Sequence, residues 1–205
     1  IELDEGDVLI GTSVTDGTQD IMLFSSEGKV VRFPESVVRA MGRTARGVRG
    51  IRLGDGHRLI SLLVPQLGSK ILTVSENGYG KRSETTDFPV KGRGTKGVIG
   101  MTTSSRNGPL VGAEQVWDGD EIMLISNQGT AVRTRIEEVG VQGRNTQGVR
   151  VIRTRDGEAL VSVSRIAEDD IETSTGTELD AGDSGPMVSS MAEDTATEGE
   201  EGADE

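Results

Sequence analysis

Ile21-Met22-Leu23-Phe24-Ser25-Ser26-Glu27-Gly28-Lys29-Val30-Val31-Arg32-Phe33 sets two apolar runs on either side of a Gly-containing turn, the pattern of a β-hairpin. The same pattern returns twice. Ser25, Ser75 and Ser126 align at offsets of 50 and 51, as do Gly28, Gly78 and Gly129, and Arg32, Arg82 and Arg133. Farther along each unit, Gly42-Arg43, Gly92-Arg93 and Gly143-Arg144 align, followed by Gly47-Val48, Gly97-Val98 and Gly148-Val149. A fixed period of this length identifies a repeat architecture before any element is assigned.

Within the first unit, a long polar connection follows the hairpin and ends in Gly-Arg-x-x-x-Gly-Val. Residues 48–53 and 59–64 then read as two more strands around the turn Gly54-Asp55-Gly56. No segment of the body has a 3.6-residue apolar period with helix caps, so an all-β fold is predicted. Repeated units of four strands read as blades of a propeller-like array. The period divides the chain into blade repeats at 19–67, 68–117 and 118–167. Residues 1–18 read as a remnant of a preceding blade, because Ile1-Glu2-Leu3-Asp4-Glu5-Gly6 aligns with Ile51-Arg52-Leu53-Gly54-Asp55-Gly56. The loop that belongs before that remnant is expected upstream of residue 1.

Composition agrees with short strands joined by turns. The 205 residues include 29 Gly but only 3 Phe, 1 Tyr and 1 Trp, so the core must rest on Val, Ile and Leu. No run approaches the ~20 apolar residues that span a bilayer, no signal segment opens the chain, and there is no Cys. A soluble cytoplasmic protein with no membrane partner is expected. The net charge of −12 is distributed unevenly. Residues 166–205 hold 14 of the 34 acidic residues and none of the 22 basic ones, leaving the body at +2 and the tail at −14. Residues 168–205 have too little apolar surface to offset chain entropy and are predicted to be an acidic disordered tail.

Ile21-Met22-Leu23-Phe24-Ser25 with Gly28-Lys29-Val30-Val31-Arg32-Phe33, Asn77-Gly78-Tyr79-Gly80-Lys81-Arg82, and Gly143-Arg144-Asn145-Thr146-Gln147-Gly148-Val149 resemble blades of the C-terminal DNA-wrapping domain of bacterial DNA gyrase A subunits. The likeness covers residues 1 to about 167, and the acidic tail suits it. It implies a six-bladed β-pinwheel, of which this chain is a part, with strands exchanged between adjacent blades and duplex DNA bent around the rim. It also implies a type II topoisomerase that introduces negative supercoils with ATP and Mg2+, paired with the gyrase B subunit in an A2B2 heterotetramer through regions outside this chain. No cofactor, metal ligand or catalytic residue is expected within the segment. The family's active-site tyrosine belongs to another domain, so Tyr79, in a blade hairpin, does not take that role. The Q-R-R-G-G-K-G box of the family's first blade does not occur in these residues. The A-type subunit of topoisomerase IV therefore stands as an alternative, beside a propeller scaffold that binds acidic proteins.

Wrapping without base readout needs cations along a bent path, and glycines that let backbone N–H groups approach phosphate. The Gly-Arg loops are the first candidates: Arg43, Arg46 and Arg49, then Arg93 and Lys96, then Arg144 and Arg150. Arg43, Arg93 and Arg144 recur in all three units, whereas the middle position is Arg46, Lys96 and neutral Gln147, which predicts a weaker grip in the last blade. Hairpin cations form a second set, comprising Lys29, Arg32, Lys81, Arg82, Arg133 and Arg135. For these, phosphate contact and local ion pairing weigh equally.

Three other motifs are set aside. Gly92-Arg93-Gly94-Thr95-Lys96-Gly97 matches G-x-G-x-x-G, but β-type sequence follows it where a dinucleotide site needs a helix. Gly182-Asp183-Ser184-Gly185-Pro186 resembles a protease nucleophile loop, yet the only histidine, His57, sits in a turn between repeated strands. Asp118-Gly119-Asp120-Glu121 lacks the ligand number of a dedicated cation loop and reads as a turn.

Overall fold

The computed structural model describes residues 1–167. The acidic tail and the Gly182–Pro186 motif lie outside the described residues. In chain order the strands are β1 (Asp20–Ser25), β2 (Lys29–Pro34), β3 (Leu59–Leu63), β4 (Lys70–Ser75), β5 (Tyr79–Glu84), β6 (Val98–Ile99), β7 (Leu110–Val116), β8 (Glu121–Ser126), β9 (Ala131–Arg135), β10 (Val149–Arg150) and β11 (Leu160–Ile166). A 3-10 turn follows each hairpin, at Glu35–Val37, Thr85–Asp87 and Ile136–Glu138.

The strands form three antiparallel sheets, ordered β3-β1-β2-β6, β10-β5-β4-β7 and β11-β8-β9. Each hairpin is joined on one side by the last strand of its own repeat. On the other side, the first two hairpins each take two residues donated by the next repeat: Lys29 faces Ile99, and Tyr79 faces Arg150. The strand that follows each of these Gly-Arg loops thus completes the preceding blade rather than its own. The expectation of a strand over residues 48–53 needs correction for the same reason. No hairpin precedes this segment among the described residues, and it makes only one bridge, from Ile51 to Thr95.

Side chains alternate along the strands as a two-residue period requires. Met22 and Phe24 of β1 point toward the second sheet and pack with Val30, Leu63, Ile71, Phe88 and Ala113, while Leu23 points to the opposite face with Val31, Phe33 and Ile51. The second sheet does the same with the third. Leu72 and Val74 pack with Val116, Ile122, Leu124, Ile136, Val139, Leu160 and Val163. Full burial of each such aliphatic side chain stabilises the fold by about 1.5–3 kcal/mol before chain entropy is counted.

Strand donation explains the repeated hairpin glycine. Gly28 and Gly78 have φ of 81° and 78°, and the donated segment crosses directly over them. Gly100 and Met101 donate N–H groups to the Gly28 carbonyl, and Val151 and Ile152 do so to the Gly78 carbonyl. A Cβ at either glycine would collide with the carbonyl oxygen of Met101 or Ile152. Gly129 keeps the positive φ of 81°, but no described residue crosses it and a Cβ there would meet nothing.

Candidate nucleic-acid interface

β3, β7 and β11 form one edge of their respective sheets, with β3 packed against β7 and β7 against β11. β6 and β10 lie at the opposite edge. The loops leading into them, residues 92–97 and 143–148, therefore lie along the edge opposite β3, β7 and β11. Gly97 and Gly148, with φ of 75° and 76°, turn the chain from each loop into its donated strand. After Gly97 the chain enters β6, so its G-x-G-x-x-G sequence opens no helix.

The loop cations divide by partner. Arg43, Arg49 and Lys96 are exposed, and their side chains make no hydrogen bond or ion pair among the described residues. Arg46 is exposed and paired with Asp4 at 2.7 Å and Glu2 at 3.8 Å. Arg93 and Arg144 are half-buried and repeat one contact: each uses Nη1 to reach the segment that follows the Gly-Arg loop of the repeat before it. Arg93 donates to the carbonyl of Arg49 at 3.2 Å and Arg144 to that of Ile99 at 2.9 Å. Arg93 also reaches the Val37 carbonyl through Nε at 3.2 Å. These contacts leave most of each five-donor guanidinium unused.

The hairpin cations are held more firmly. Arg32 pairs with Asp20 at 2.8 Å and donates to the carbonyls of Thr85 and Phe88 at 2.8 and 3.3 Å. Arg82 donates to Val139 at 2.7 Å and pairs with Asp118 at 2.8 Å. In both cases the arginine pins the 3-10 turn of the following repeat. Arg133, with no following repeat among the described residues, is exposed and pairs with Glu121 of its own hairpin, and Arg135 lies 3.4 Å from Glu138. Lys29 is half-buried in β2 with no side-chain partner among the described residues.

Lys81 is fully buried, and its Nζ donates to the carbonyls of Gly143 and Arg144 at 2.7 and 2.5 Å. Burial lowers its pKa to about 8, with nearby Asp87 opposing the shift. It therefore latches the third Gly-Arg loop onto the second blade. Asp118, in the acidic turn, is tied to Lys70 and Arg82, and these contacts hold its carboxyl below the usual range. Asp120 accepts from Trp117 N–H at 2.7 Å and pairs with Arg165. His57 Nδ1 lies 3.2 Å from the hydroxyl of Ser26, on a hairpin turn.

Arg106 is a basic residue that the repeat pattern did not single out. Its Nε donates to the hydroxyl of Tyr79 at 3.3 Å, and Arg150 Nη2 donates to the same oxygen at 2.9 Å. The two guanidinium groups sit over the ring at 5.0 and 5.3 Å from its centroid.

Stacked antiparallel blades, strands donated from one repeat to the blade before it, and a basic loop at each donation define a pinwheel-type β-propeller. The family model described as DNA gyrase C-terminal domain, beta-propeller, matches residues 19–66, 69–116 and 120–167, and the chain belongs to that family. It is 52% identical over 204 residues to the DNA gyrase A subunit of Pseudomonas aeruginosa, a match spanning 100% of this chain and 22% of the relative. It is 51% identical over 187 residues to the DNA gyrase A subunit of Escherichia coli strain K12, spanning 89% and 21% respectively. The chain thus spans about a fifth of the length of these curated relatives. A solved structure described as a DNA gyrase A C-terminal domain superposes with a TM-score of 0.74 at 30% identity, covering 82% of this chain and 57% of that one. A C-terminal domain of DNA topoisomerase IV shares the fold, with a TM-score of 0.77 at 21% identity over 85% of this chain and 55% of that one.

Proposed function

We propose that this chain is a DNA-wrapping segment of a gyrase A subunit, binding the backbone of duplex DNA along the strand-donating edge of its blades. The observation that carries this reading is the placement of Arg43, Arg49, Lys96 and Arg150, exposed and free of carboxylate partners among the described residues, in or beside the repeated loops of a chain in the gyrase C-terminal family. Backbone neutralisation by such cations is independent of base sequence and releases counterions. Arg93 and Arg144 serve both ends, spending one or two donors on the fold and keeping the rest for phosphate. Arg32, Lys81 and Arg82 hold the blades in register, while Lys29, Arg133 and Arg135 lie at the margin of the path.

In the complete protein, the bent duplex would be presented to a strand-passage domain outside this chain. The whole enzyme would be a cytoplasmic type II topoisomerase that introduces negative supercoils with ATP and Mg2+, in an A2B2 complex with the gyrase B subunit. This segment supplies geometry and charge, and none of its residues is assigned a catalytic step. Ligating a nicked circular DNA with saturating protein tests wrapping directly. A shift of the linking-number distribution in one direction is expected, and an unshifted distribution under conditions of full binding contradicts the reading.

A further inference from the structure

The side-chain cluster around Tyr79 is built from three parts of the sequence. Tyr79 begins β5 and is 4% exposed, Arg150 stands opposite it on the donated strand β10, and Arg106 comes from the loop between β6 and β7. Two cations converge on one neutral phenol oxygen, and neither forms an ion pair with a carboxylate among the described residues. Like charges brought this close repel, and a fold that holds them there without a counter-ion leaves a focus of positive potential.

The cluster is also tied down by hydrogen bonds. Asn107, fully buried, accepts from the N–H and hydroxyl of Ser104 at 2.8 and 3.1 Å and donates to the carbonyls of Thr102 and Gln147 at 2.9 and 3.3 Å. Thr102 Oγ1 reaches Asn145 Oδ1 at 3.1 Å. These bonds suture the Arg106 loop to the Gly-Arg loop that leads to Arg150. Tyr79 adds a further feature, since an oxygen that accepts from both arginines still has its own O–H to donate. Each exposed guanidinium has spent one N–H on the phenol and keeps four. The free donors therefore belong to three groups around a single point.

We infer that Arg106, Arg150 and Tyr79 form one binding pocket for a single backbone phosphate of duplex DNA, located where the third repeat completes the second blade. This deepens the proposed wrapping function and rests on it. The pocket is specific to this junction. The residue aligned with Tyr79 is Lys29 in the first repeat and Thr130 in the third, and Ile99 stands opposite Lys29 where Arg150 stands opposite Tyr79. The second blade thus gains a fixed point on the DNA path that its neighbours lack.

The test uses the full chain and its single tyrosine, labelled with 13C at Cζ so that one signal reports on the pocket. Duplex DNA should shift this signal saturably, and Arg106→Gln with Arg150→Gln should abolish the shift while leaving the urea midpoint in place. Because both arginines serve one phosphate, the double variant should flatten the plot of log affinity against log salt by about 0.9, and each single variant, which keeps one cation on that phosphate, by less. Loss of about 1.8 in the double variant would mean two independent contacts and overturn the shared pocket. An unmoved tyrosine signal and unchanged slopes, with steep salt-dependent binding by the wild type, would overturn the pocket alone. Absence of salt-dependent DNA binding by the wild type would overturn the wrapping proposal and the pocket together. Inorganic phosphate is the second probe: a shift with phosphate and none with duplex DNA would assign the pocket to a free anion and overturn the DNA assignment.

Discussion

Arg82 and Val139 are 57 residues apart in sequence, yet the Arg82 Nε donates to the Val139 carbonyl at 2.7 Å. Val139 caps the 3-10 turn of the next repeat and is itself buried against Leu72 and Ile122. The contact therefore links the hydrogen bonding of one hairpin to the packing of the following blade. Arg32 makes the same kind of link to Thr85 and Phe88 one repeat earlier.

Replacing Arg82 by Leu leaves the Val139 carbonyl without its donor inside the fold, a situation that costs about 2–4 kcal/mol. Arg133, exposed and paired only within its own hairpin, should lose less than about 1 kcal/mol on the same change. Urea midpoints of the two variants measure the difference. Equal midpoints would show that the inter-blade contact carries no stability.

Lys81 predicts a pH dependence in the alkaline range. Its pKa falls from 10.5 to about 8 on folding because burial disfavours the ammonium, so the unfolded chain binds more protons between those values. Stability contributed at this site therefore rises as pH climbs from about 8 toward the ordinary lysine value, by on the order of 3 kcal/mol. Lys81→Met should remove that rise. Wild-type and variant melting curves at about pH 7.5 and about pH 9.5 test it, and parallel changes in the two proteins would refute the assignment.

Glu158 gives the opposite sign at acid pH. Its carboxylate accepts from the Ser126 hydroxyl at 2.6 Å and from Arg155 N–H at 2.9 Å, and its pKa is lowered to about 2, with the Ser126 hydrogen bond the largest cause. The resulting stabilisation is complete above the ordinary glutamate value and disappears as pH falls from there through about 2. Glu158→Gln should therefore lose less stability than the wild type between about pH 5 and about pH 2, read from urea midpoints. Equal losses in the two proteins would remove Glu158 from the acid response.

The −14 charge of residues 166–205 sets a further expectation. An acidic segment tethered to a basic edge competes with DNA for it, and the competition weakens as salt screens both. A chain ending at residue 167 should bind duplex DNA more tightly than the full chain at low salt, with the gap narrowing as salt rises. Identical affinity and salt dependence would remove the tail from the account.

Much of this structure was legible in the repeat. The hairpins followed from apolar runs around Gly28, Gly78 and Gly129, and the all-β class from the absence of any helical period. What the repeat could not show was ownership of the strand after each loop. In a periodic chain, moving an element from one unit to its neighbour leaves the sequence pattern unchanged, so the pairing of Lys29 with Ile99 left no trace in the order of residues. Lys81 did leave a signal: it occupies the position of Val31 and Val132, and a cation at an apolar repeat position marks a buried role. Arg106 left none, because the loop between β6 and β7 departs from the Gly54-Asp55-Gly56 turn of the first repeat.

The most direct test of the central claim is the salt dependence of linear duplex DNA binding, comparing the wild type with a variant in which Arg43, Arg49 and Lys96 are changed to Ala. These three side chains hold no partner among the described residues, so their loss should leave the urea midpoint unchanged. If they neutralise three phosphates, the log-log slope becomes shallower by about 2.7, at about 0.9 per contact. An unchanged slope in the folded variant would place the DNA away from the strand-donating edge and contradict the account.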